Sequence, residues 1–386
     1  MTSTDRGVES AFPREEYEAR CNKVRATLAA RGLDAAVFTG PENIFYLTGQ
    51  QTPGYYTFQC LVFPADSEPL FLLRQLELTN FLRNTFLDRF ESYGDGTTPA
   101  GLVVETLTRM GLAGRRVAIE KGGWFLPINF YEALSSALPR IEDATGIVET
   151  LRRVKSSAEI ACLEESGRQA DAGISAGLAA IREGATENDV VAAMMQAAIA
   201  AGAEYMGMEP LVSSGPRSGV PHATWRRRKL EKGDAIFLEM SGSFNRYHTA
   251  LMRTAWLGEP PPLARRLESV VQDALAAALD TARPGVTCAD VHRAAQRVID
   301  AAGMTERYRK RTGYSLGISF APDWGEWQVL SLFEGIDVPL EPGMCFHVPI
   351  ALREYGAFTV GLSESIVITP SGCRILGTVP RHIVVV

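Results

Sequence analysis

One carboxylate and one imidazole in the second half of the chain stand in settings that suit hydrolytic chemistry. Glu239 follows the apolar run Ala-Ile-Phe-Leu, so the folded chain should keep its carboxylate from water and raise its pKa or its nucleophilicity. Such a group either binds a cation or attacks an electrophilic carbon. His222 titrates near neutral pH and can move a proton from water to a leaving nitrogen. The alternatives are an ion pair of Glu239 with Arg253 and a loop imidazole packed beside Trp225.

The elements that must position these groups fall into two regions that meet near residue 153. The first predicts an α/β layer structure with helices at 13–31, 102–110 and 130–138 and strands at 35–39, 60–63, 69–73 and 116–119. The second predicts helices at 158–183, 186–201, 262–282 and 288–302 and strands at 235–240, 249–257, 344–352 and 364–369. Ser157 is a plausible N-cap for the first of these helices. We therefore predict domains at 1–153 and 154–386.

Four stretches of the second region carry motifs at fixed places. They lie at 237–254, 313–317, 340–349 and 361–369. Together they resemble the pita-bread family of creatinase, prolidase, aminopeptidase P and methionine aminopeptidase. The resemblance implies an α/β N-terminal creatinase-type domain followed by an α+β pita-bread domain, with helices outside a curved antiparallel sheet. It also implies a catalytic role for His222, which occupies the place of a non-ligand histidine near the scissile bond.

The metal-binding positions of the family are mostly altered in this sequence. Metal-dependent members have Asp at the positions of Glu239 and Ala250, His at that of Tyr314 and Glu at that of Pro349; only the last Glu is retained, as Glu364. Two divalent ions about 3.5–4 Å apart need several anionic oxygens. The resemblance therefore implies a protein that works without a metal or other cofactor, as creatinase and the ectoine hydrolases of the family do.

The run Gly-Tyr-Ser-Leu-Gly-Ile-Ser-Phe-Ala-Pro-Asp-Trp-Gly-Glu at 313–326 resembles the ectoine hydrolases in particular. The resemblance implies substrate contacts from Tyr247, His248, Tyr314, Asp323, Trp324, Glu326 and His347. Alternation along a strand points only one of Tyr247 and His248 inward. Asp323 and Glu326 either fix the loop or meet a cation, and His347 is as consistent with a core histidine. Trp327 departs from the pattern, because an Arg that could hold a substrate carboxylate usually stands there.

Creatinase-like dimers place the N-terminal domain of one subunit at the site of the other. The resemblance therefore implies a homodimer in which Tyr55 and Phe58 form part of the partner's pocket; ordinary core packing is the alternative.

Composition excludes several classes of protein. The 386 residues are 46% hydrophobic and 22% charged, which is typical of a globular protein with room for two domains. A net charge of −6 gives no reason to expect a nucleic-acid partner, and no long uncharged apolar window predicts a membrane span. Six scattered cysteines and the absence of a signal-like N-terminus predict a cytoplasmic protein with reduced thiols.

The leading hypothesis is a metal-independent hydrolase that opens a non-peptide C–N bond in a small amidine- or guanidine-bearing acid, with ectoine as the preferred substrate. Glu239 and Glu364 would hold the substrate cation or the water, and His222 would protonate the departing nitrogen. The alternatives are a creatinase-type amidinohydrolase and a non-catalytic protein that binds a small ligand.

Overall fold

The computed structural model describes residues 7–308 and 310–386. The chain divides into two compact units, Met1–Arg152 and Arg153–Val386, which are described separately. All six cysteines are free thiols. In the part of the chain that the structure describes, no helix is both long and apolar enough to cross a bilayer.

The first unit is a six-stranded mixed sheet with helices packed against it. Its strands are β1 (Ala35–Phe38), β2 (Cys60–Pro64), β3 (Leu70–Arg74), β4 (Phe90–Tyr93), β5 (Val117–Ile119) and β6 (Ile141–Asp143), in the order β4-β3-β2-β1-β5-β6. Its helices are α1 (Arg14–Arg31), α2 (Pro41–Thr48), α3 (Leu78–Asn84), α4 (Pro99–Arg109), α5 (Ile128–Ala137) and α6 (Ile147–Arg152). The predicted α/β class is confirmed. Helix α1 ends at Gly32, whose φ of 63° is the left-handed conformation that glycine adopts easily.

The second unit has two sheets with two helices packed against each. The strands are β7 (Leu211–Ser214), β8 (Ala235–Ser241), β9 (Ala250–Trp256), β10 (Gly313–Ser315), β11 (Ser331–Leu332), β12 (Cys345–Glu354), β13 (Phe358–Thr369), β14 (Gly372–Ile375) and β15 (Val384–Val385). The helices are α7 (Ser157–Ala180), α8 (Glu187–Ala200), α9 (Pro262–Thr281) and α10 (Cys288–Ala301). One sheet has the order β15-β9-β8-β7 and the other β11-β10-β12-β13-β14. The paired strands run antiparallel except β15, which is parallel to β9.

Helices α7, α8 and α10 each begin at a residue whose side chain caps the helix. The cap of α7 is Ser156, one residue before the predicted Ser157, because its hydroxyl accepts from the backbone N–H of Glu159 while the Glu159 carboxylate accepts from Ser156 N–H. Helices α8 and α10 begin with the same reciprocal arrangement at Thr186 and Thr287.

Each sheet has one face under helices and one face that we call the inner face. Leu238 and neighbouring alternate residues of β8 and β9 pack under α7 and α8, and alternate residues of β12 and β13 pack under α9 and α10. Helix α7 comes close to β8 because Gly173 has no side chain: a Cβ there would lie 2.3 Å from the sulfur of Met240. The two sheets are joined where β9 meets β13, and Met252 N–H donates to Ser363 Oγ at 2.7 Å.

The inner faces share a small apolar group, which we call the inner cluster. Its buried members are Leu211, Phe237, Ala250, Met252, Trp324 and Ala351. These residues come from both sheets and from the loop after β10, so the cluster defines the space between them.

Candidate active site

Glu239 extends from the middle of β8 onto the inner face. Leu238, the preceding residue, packs under the helices, whereas Phe237 belongs to the inner cluster, so alternation places Glu239 beside that cluster. The Glu239 side chain is 9% exposed, and burial raises its pKa to about 7. Among the described residues it has no hydrogen-bond or ion-pair partner. A buried carboxylate without a protein partner is available to a bound molecule.

Two cations that the sequence analysis did not single out, Lys310 and Arg353, act on this carboxylate, and a third, Arg311, acts on Tyr314 and Asp323. The charges of Lys310 and Arg353 lower the pKa of Glu239 and act against the effect of burial. Burial and, to a smaller extent, the charge of Arg353 lower the pKa of Lys310 to about 7, while the charge of Glu239 acts in the opposite direction. The Arg311 guanidinium lies 5.3 Å from the ring centroids of both Tyr314 and Trp327.

Arg353 is placed by the alternation of β12. Ala351, two residues earlier, belongs to the inner cluster, so Arg353 extends from the same face. Its Nε is buried and has no hydrogen-bond partner in the described chain. Burial lowers the pKa of its guanidinium, and the Glu239 charge acts in the opposite direction.

His222 lies in the loop that follows the 3-10 turn Gly215–Gly219. Its backbone has a φ of 56°, in the left-handed region that a residue with a side chain enters at a cost. Although the residue is exposed, partial desolvation of the ring lowers its pKa, and the charges of Arg353 and Lys310 lower it further. The imidazole is therefore neutral near pH 7. The charges of the same two cations also lower the pKa of Glu239.

A chain of hydrogen bonds crosses the inner face from the loop after β10. Asp323 Oδ1 accepts from the backbone N–H groups of Trp324 and Gly325, and Trp324 Nε1 donates to the Tyr314 hydroxyl at 2.8 Å. That hydroxyl lies 2.8 Å from Nδ1 of His347, the residue paired with Tyr314 across β10 and β12. Burial raises the pKa of Tyr314 and lowers that of His347, so both are neutral. The other ring nitrogen of His347 is buried and has no partner among the described residues.

Glu364 does not share this space, and its predicted role beside Glu239 is wrong. Its carboxylate accepts from the Arg253 guanidinium at 2.8 Å, and Arg381 Nε lies 3.1 Å from the same oxygen. Glu364 alternates with Ser363, whose hydroxyl points to Met252 of the inner cluster. Arg253 therefore pairs with Glu364, and the alternative pairing of Arg253 with Glu239 is also not what the structure shows.

Three other residues that were predicted to contact the substrate, Tyr247, His248 and Glu326, are hydrogen-bonded to groups of the protein itself. The Tyr247 hydroxyl donates to Glu159 at 2.8 Å. His248 is fully buried, with Nδ1 donating to the Arg246 carbonyl and Nε2 accepting from Gly207 N–H. Burial lowers the pKa of His248 to about 3, so the ring is neutral.

Glu326 is the third of these. It meets a cation, as one of the two sequence interpretations expected, but the cation is Lys155 of the same unit, at 3.0 Å. Its second oxygen accepts from Ile318 N–H at 2.9 Å. Glu326 thus fixes the loop that carries Trp324, and it has no free oxygen for a substrate.

Tyr55 and Phe58 lie in the first unit. The Phe58 ring stacks on Phe130 with centroids 4.0 Å apart, and the Tyr55 ring meets Phe125 edge-on at 5.6 Å. Together with Tyr56 and Trp124 they line a cavity of about 150 Å³. Their contribution to a partner's pocket stays a prediction.

The residues at the family's metal positions do not fit a pair of divalent ions. Ala250 is fully buried in the inner cluster, Pro349 offers no side-chain donor, and Tyr314 is hydrogen-bonded to Trp324 and His347. Glu364 points away, so Glu239 is the one carboxylate left at these positions. Within residues 7–308 and 310–386 no group of three or more His, Cys, Asp or Glu side chains is arranged to hold a metal ion.

The chain belongs to metallopeptidase family M24, whose model matches residues 161–370, and residues 20–154 match the creatinase/prolidase N-terminal domain. The predicted pita-bread architecture is confirmed. The chain is 31% identical to the ectoine hydrolase of Halomonas elongata over 98% of this chain and 99% of the relative.

Two other relatives also match this chain over nearly its whole length. An uncharacterised hydrolase/peptidase y4tL of Sinorhizobium fredii is 33% identical over 97% of this chain and 98% of its own. The crystal structure of dipeptidase PepE from Mycobacterium ulcerans superimposes with a TM-score of 0.85 at 29% identity, covering 97% of this chain and 99% of that one. The relatives thus include proteins named as an ectoine hydrolase and as a dipeptidase.

Proposed function

We propose that the protein is a metal-independent hydrolase of a non-peptide C–N bond in a small acid that carries an amidine or guanidine group, with ectoine-type ring opening as the preferred reaction. The observation that carries the proposal is the setting of Glu239. A largely buried carboxylate without a protein partner suits an organic cation, whereas the alanine, proline and hydrogen-bonded tyrosine at the other positions do not suit two divalent ions. The similarity to an ectoine hydrolase over the whole chain supports the same substrate class.

The chain's own groups are sufficient for the reaction. Glu239 either holds the amidinium by charge or adds to its carbon to give a covalent acyl-type intermediate. His222, neutral at pH 7, accepts a proton from the attacking water and returns it to the ring nitrogen as the C–N bond breaks. The net change is the addition of one water, which converts a cyclic amidine into an open-chain amide with a free amine.

Mass spectrometry of a substrate panel tests this function. The purified protein is incubated with ectoine, hydroxyectoine, creatine and related cyclic amidines, and a product heavier by one water is expected from a cyclic amidine. Glu239→Gln and His222→Ala should each abolish that product, while Glu341→Gln, a change at an exposed residue, should not. Absence of a ring-opened product from every cyclic amidine, and of the two cleavage fragments from every guanidino acid, would refute the proposal.

Acid quenching separates the two roles open for Glu239. If the carboxylate attacks, the intact mass of protein quenched during turnover should rise by that of the substrate, and the modified peptide should contain Glu239. If it only binds the cation, the mass should not change.

Chelation tests metal independence. Dialysis against EDTA should leave turnover unchanged, and elemental analysis of active protein should find no stoichiometric manganese, zinc, iron or cobalt. Activity that is lost on chelation and restored by Mn²⁺ or Co²⁺ would contradict this part of the proposal.

A second candidate is a dipeptidase, because the structure similar at a TM-score of 0.85 is named as one. Hydrolysis of dipeptides in the presence of Mn²⁺, without action on amidines, would favour it. Release of urea from creatine would favour a creatinase-type enzyme, and binding of ectoine by calorimetry without any product would favour a ligand-binding protein.

A further inference from the structure

The cations around Glu239 exceed the anions that the protein offers them. Lys310, Arg311 and Arg353 all act on the site, against the carboxylates of Glu239 and Asp323. One oxygen of Asp323 is occupied by two backbone N–H groups of its own loop. The pocket therefore carries an excess of positive charge.

Arg353 differs from arginines close to it in the fold. Arg307 pairs with Glu354, and Arg253 pairs with Glu364. Arg353 stands next to Glu354 in sequence but has no ion pair with any described residue, and its buried Nε has no acceptor there. A buried guanidinium N–H without an acceptor is costly, so such a group commonly meets an anion that is not part of the chain.

Trp327 contacts one of the three cations. Its indole lies against the Arg311 guanidinium, with 5.3 Å between the cation and the ring centroid. Arg353 and Lys310 have no ion pair or ring contact among the described residues, and Glu239 is the carboxylate whose charge acts on both.

We propose that Arg353 and Lys310 bind the carboxylate of the substrate, while Glu239 takes its cationic amidine or guanidine carbon. This inference rests on the proposed function and assigns the residues that recognise the acidic group of its substrate. The guanidinium of Arg353 supplies a planar pair of N–H donors that matches a carboxylate, and Lys310 adds a point charge. Both are specificity-determining residues.

Calorimetry with two matched ligands tests the inference. Ectoine and the same cyclic amidine without its carboxylate, 2-methyl-1,4,5,6-tetrahydropyrimidine, are titrated into the wild-type protein, Arg353→Gln and Lys310→Met. The wild type should prefer ectoine by about 100-fold, as expected when one partner of a buried charge pair is removed. Arg353→Gln should lose most of that preference and bind the decarboxylated ring within about threefold of the wild type.

The control variant is Arg374→Gln, which removes a surface arginine paired with Glu164 and should change neither affinity. If Arg353→Gln does not fold, as judged by its thermal unfolding, Lys310→Met gives the same comparison. Equal weakening of both ligands in the variants, an equal affinity of the wild type for both, or no binding of either ligand would overturn the inference.

Turnover of the same two compounds is measured separately. If ectoine binds with the expected dependence on Arg353 but no product forms, the proposed reaction fails and the carboxylate site stands. If ectoine is hydrolysed but Arg353→Gln leaves its KM unchanged, the reaction stands and the carboxylate site fails.

Discussion

The guanidinium of Arg253 lies 2.8 Å from a carboxylate oxygen of Glu364, and both side chains are fully buried. Arg253 extends from β9 and Glu364 from β13, so the pair joins the two sheets of the second unit. The same guanidinium also donates to the backbone carbonyls of Met252, Ser363, Val379 and Pro380. Glu364 is therefore a structural anion that fixes the arginine at the sheet junction.

Replacement of Glu364 by Gln should lower the stability of the protein, because Glu364 has a structural role and not a catalytic one. The change leaves the buried Arg253 cation without its counter-charge, which costs about 3–5 kcal/mol of unfolding free energy. Urea unfolding followed by circular dichroism measures this loss. Glu341→Gln, at an exposed position, is the control and should stay within about 0.5 kcal/mol. A Glu364→Gln protein that is inactive but as stable as the wild type would show that Glu364 has a role in catalysis.

The buried pair of Lys155 and Glu326 should show strong coupling in a double-mutant cycle. Both side chains are 1% exposed and lie 3.0 Å apart, so Lys155→Met and Glu326→Gln should each cost about 3–5 kcal/mol by leaving one buried charge alone. The double variant should be more stable than the sum of the two losses predicts, by about 1–3 kcal/mol. Strictly additive losses in urea unfolding would show that the pair does not interact.

The Tyr314 hydroxyl is hydrogen-bonded to Trp324 and to His347, so Tyr314→Phe should remove both hydrogen bonds. Trp324 Nε1 would lose its acceptor and His347 Nδ1 its hydroxyl, with a cost of about 1–3 kcal/mol for the stranded groups. Thermal or urea unfolding measures the change, with Tyr56→Phe as an exposed control. An unchanged midpoint together with a raised KM would mean that the hydroxyl serves the substrate more than the fold.

The stability of the protein should depend on pH through Glu239. Burial raises the pKa of this carboxyl from 4.5 to about 7 in the folded state, so the folded protein holds the proton more tightly than the unfolded chain. The resulting stabilisation is complete below pH 4.5 and is lost as the pH rises through about 7. Glu239→Gln removes this loss, and its stability relative to the wild type should therefore increase across that window.

Urea unfolding of both proteins at about pH 5 and about pH 8 checks the expectation. A stability difference that is the same at both values would show that Glu239 titrates normally. In the wild type, kcat/KM should rise over the same range if the ionised carboxylate is the reacting form.

The strands that carry Glu239 could be predicted closely from the sequence. The predicted strands at 235–240 and 249–257 are observed as Ala235–Ser241 and Ala250–Trp256, since their apolar and β-branched residues fit a sheet with one face under helices. The strand predicted at 364–369 begins instead at Phe358, because Gly361 interrupts an otherwise clear pattern while β12 pairs with the whole stretch. With the full strand, Glu364 alternates onto the face of Leu362 and Ile366, away from Glu239.

The chemical part of the site was only partly accessible to sequence reasoning. Glu239 and Tyr314 stood at recognisable motif positions, but Lys310, Arg311 and Arg353 belong to no motif. Their role is inferred from the absence of acidic partners beside them in the described chain, and that absence can be seen only in the folded structure. The signal in the sequence was the pair Lys310-Arg311, which Thr312 separates from the motif that contains Tyr314.

The contact between Lys155 and Glu326 limits how the two units can be separated. Lys155 precedes the first helix of the second unit, yet its ammonium is the counter-ion of the loop that presents Trp324 to the inner cluster. A gene fragment that starts at α7 would omit Lys155 and leave the buried carboxylate of Glu326 without its counter-ion. Fragments for crystallisation or directed evolution of this unit should therefore begin upstream of Lys155.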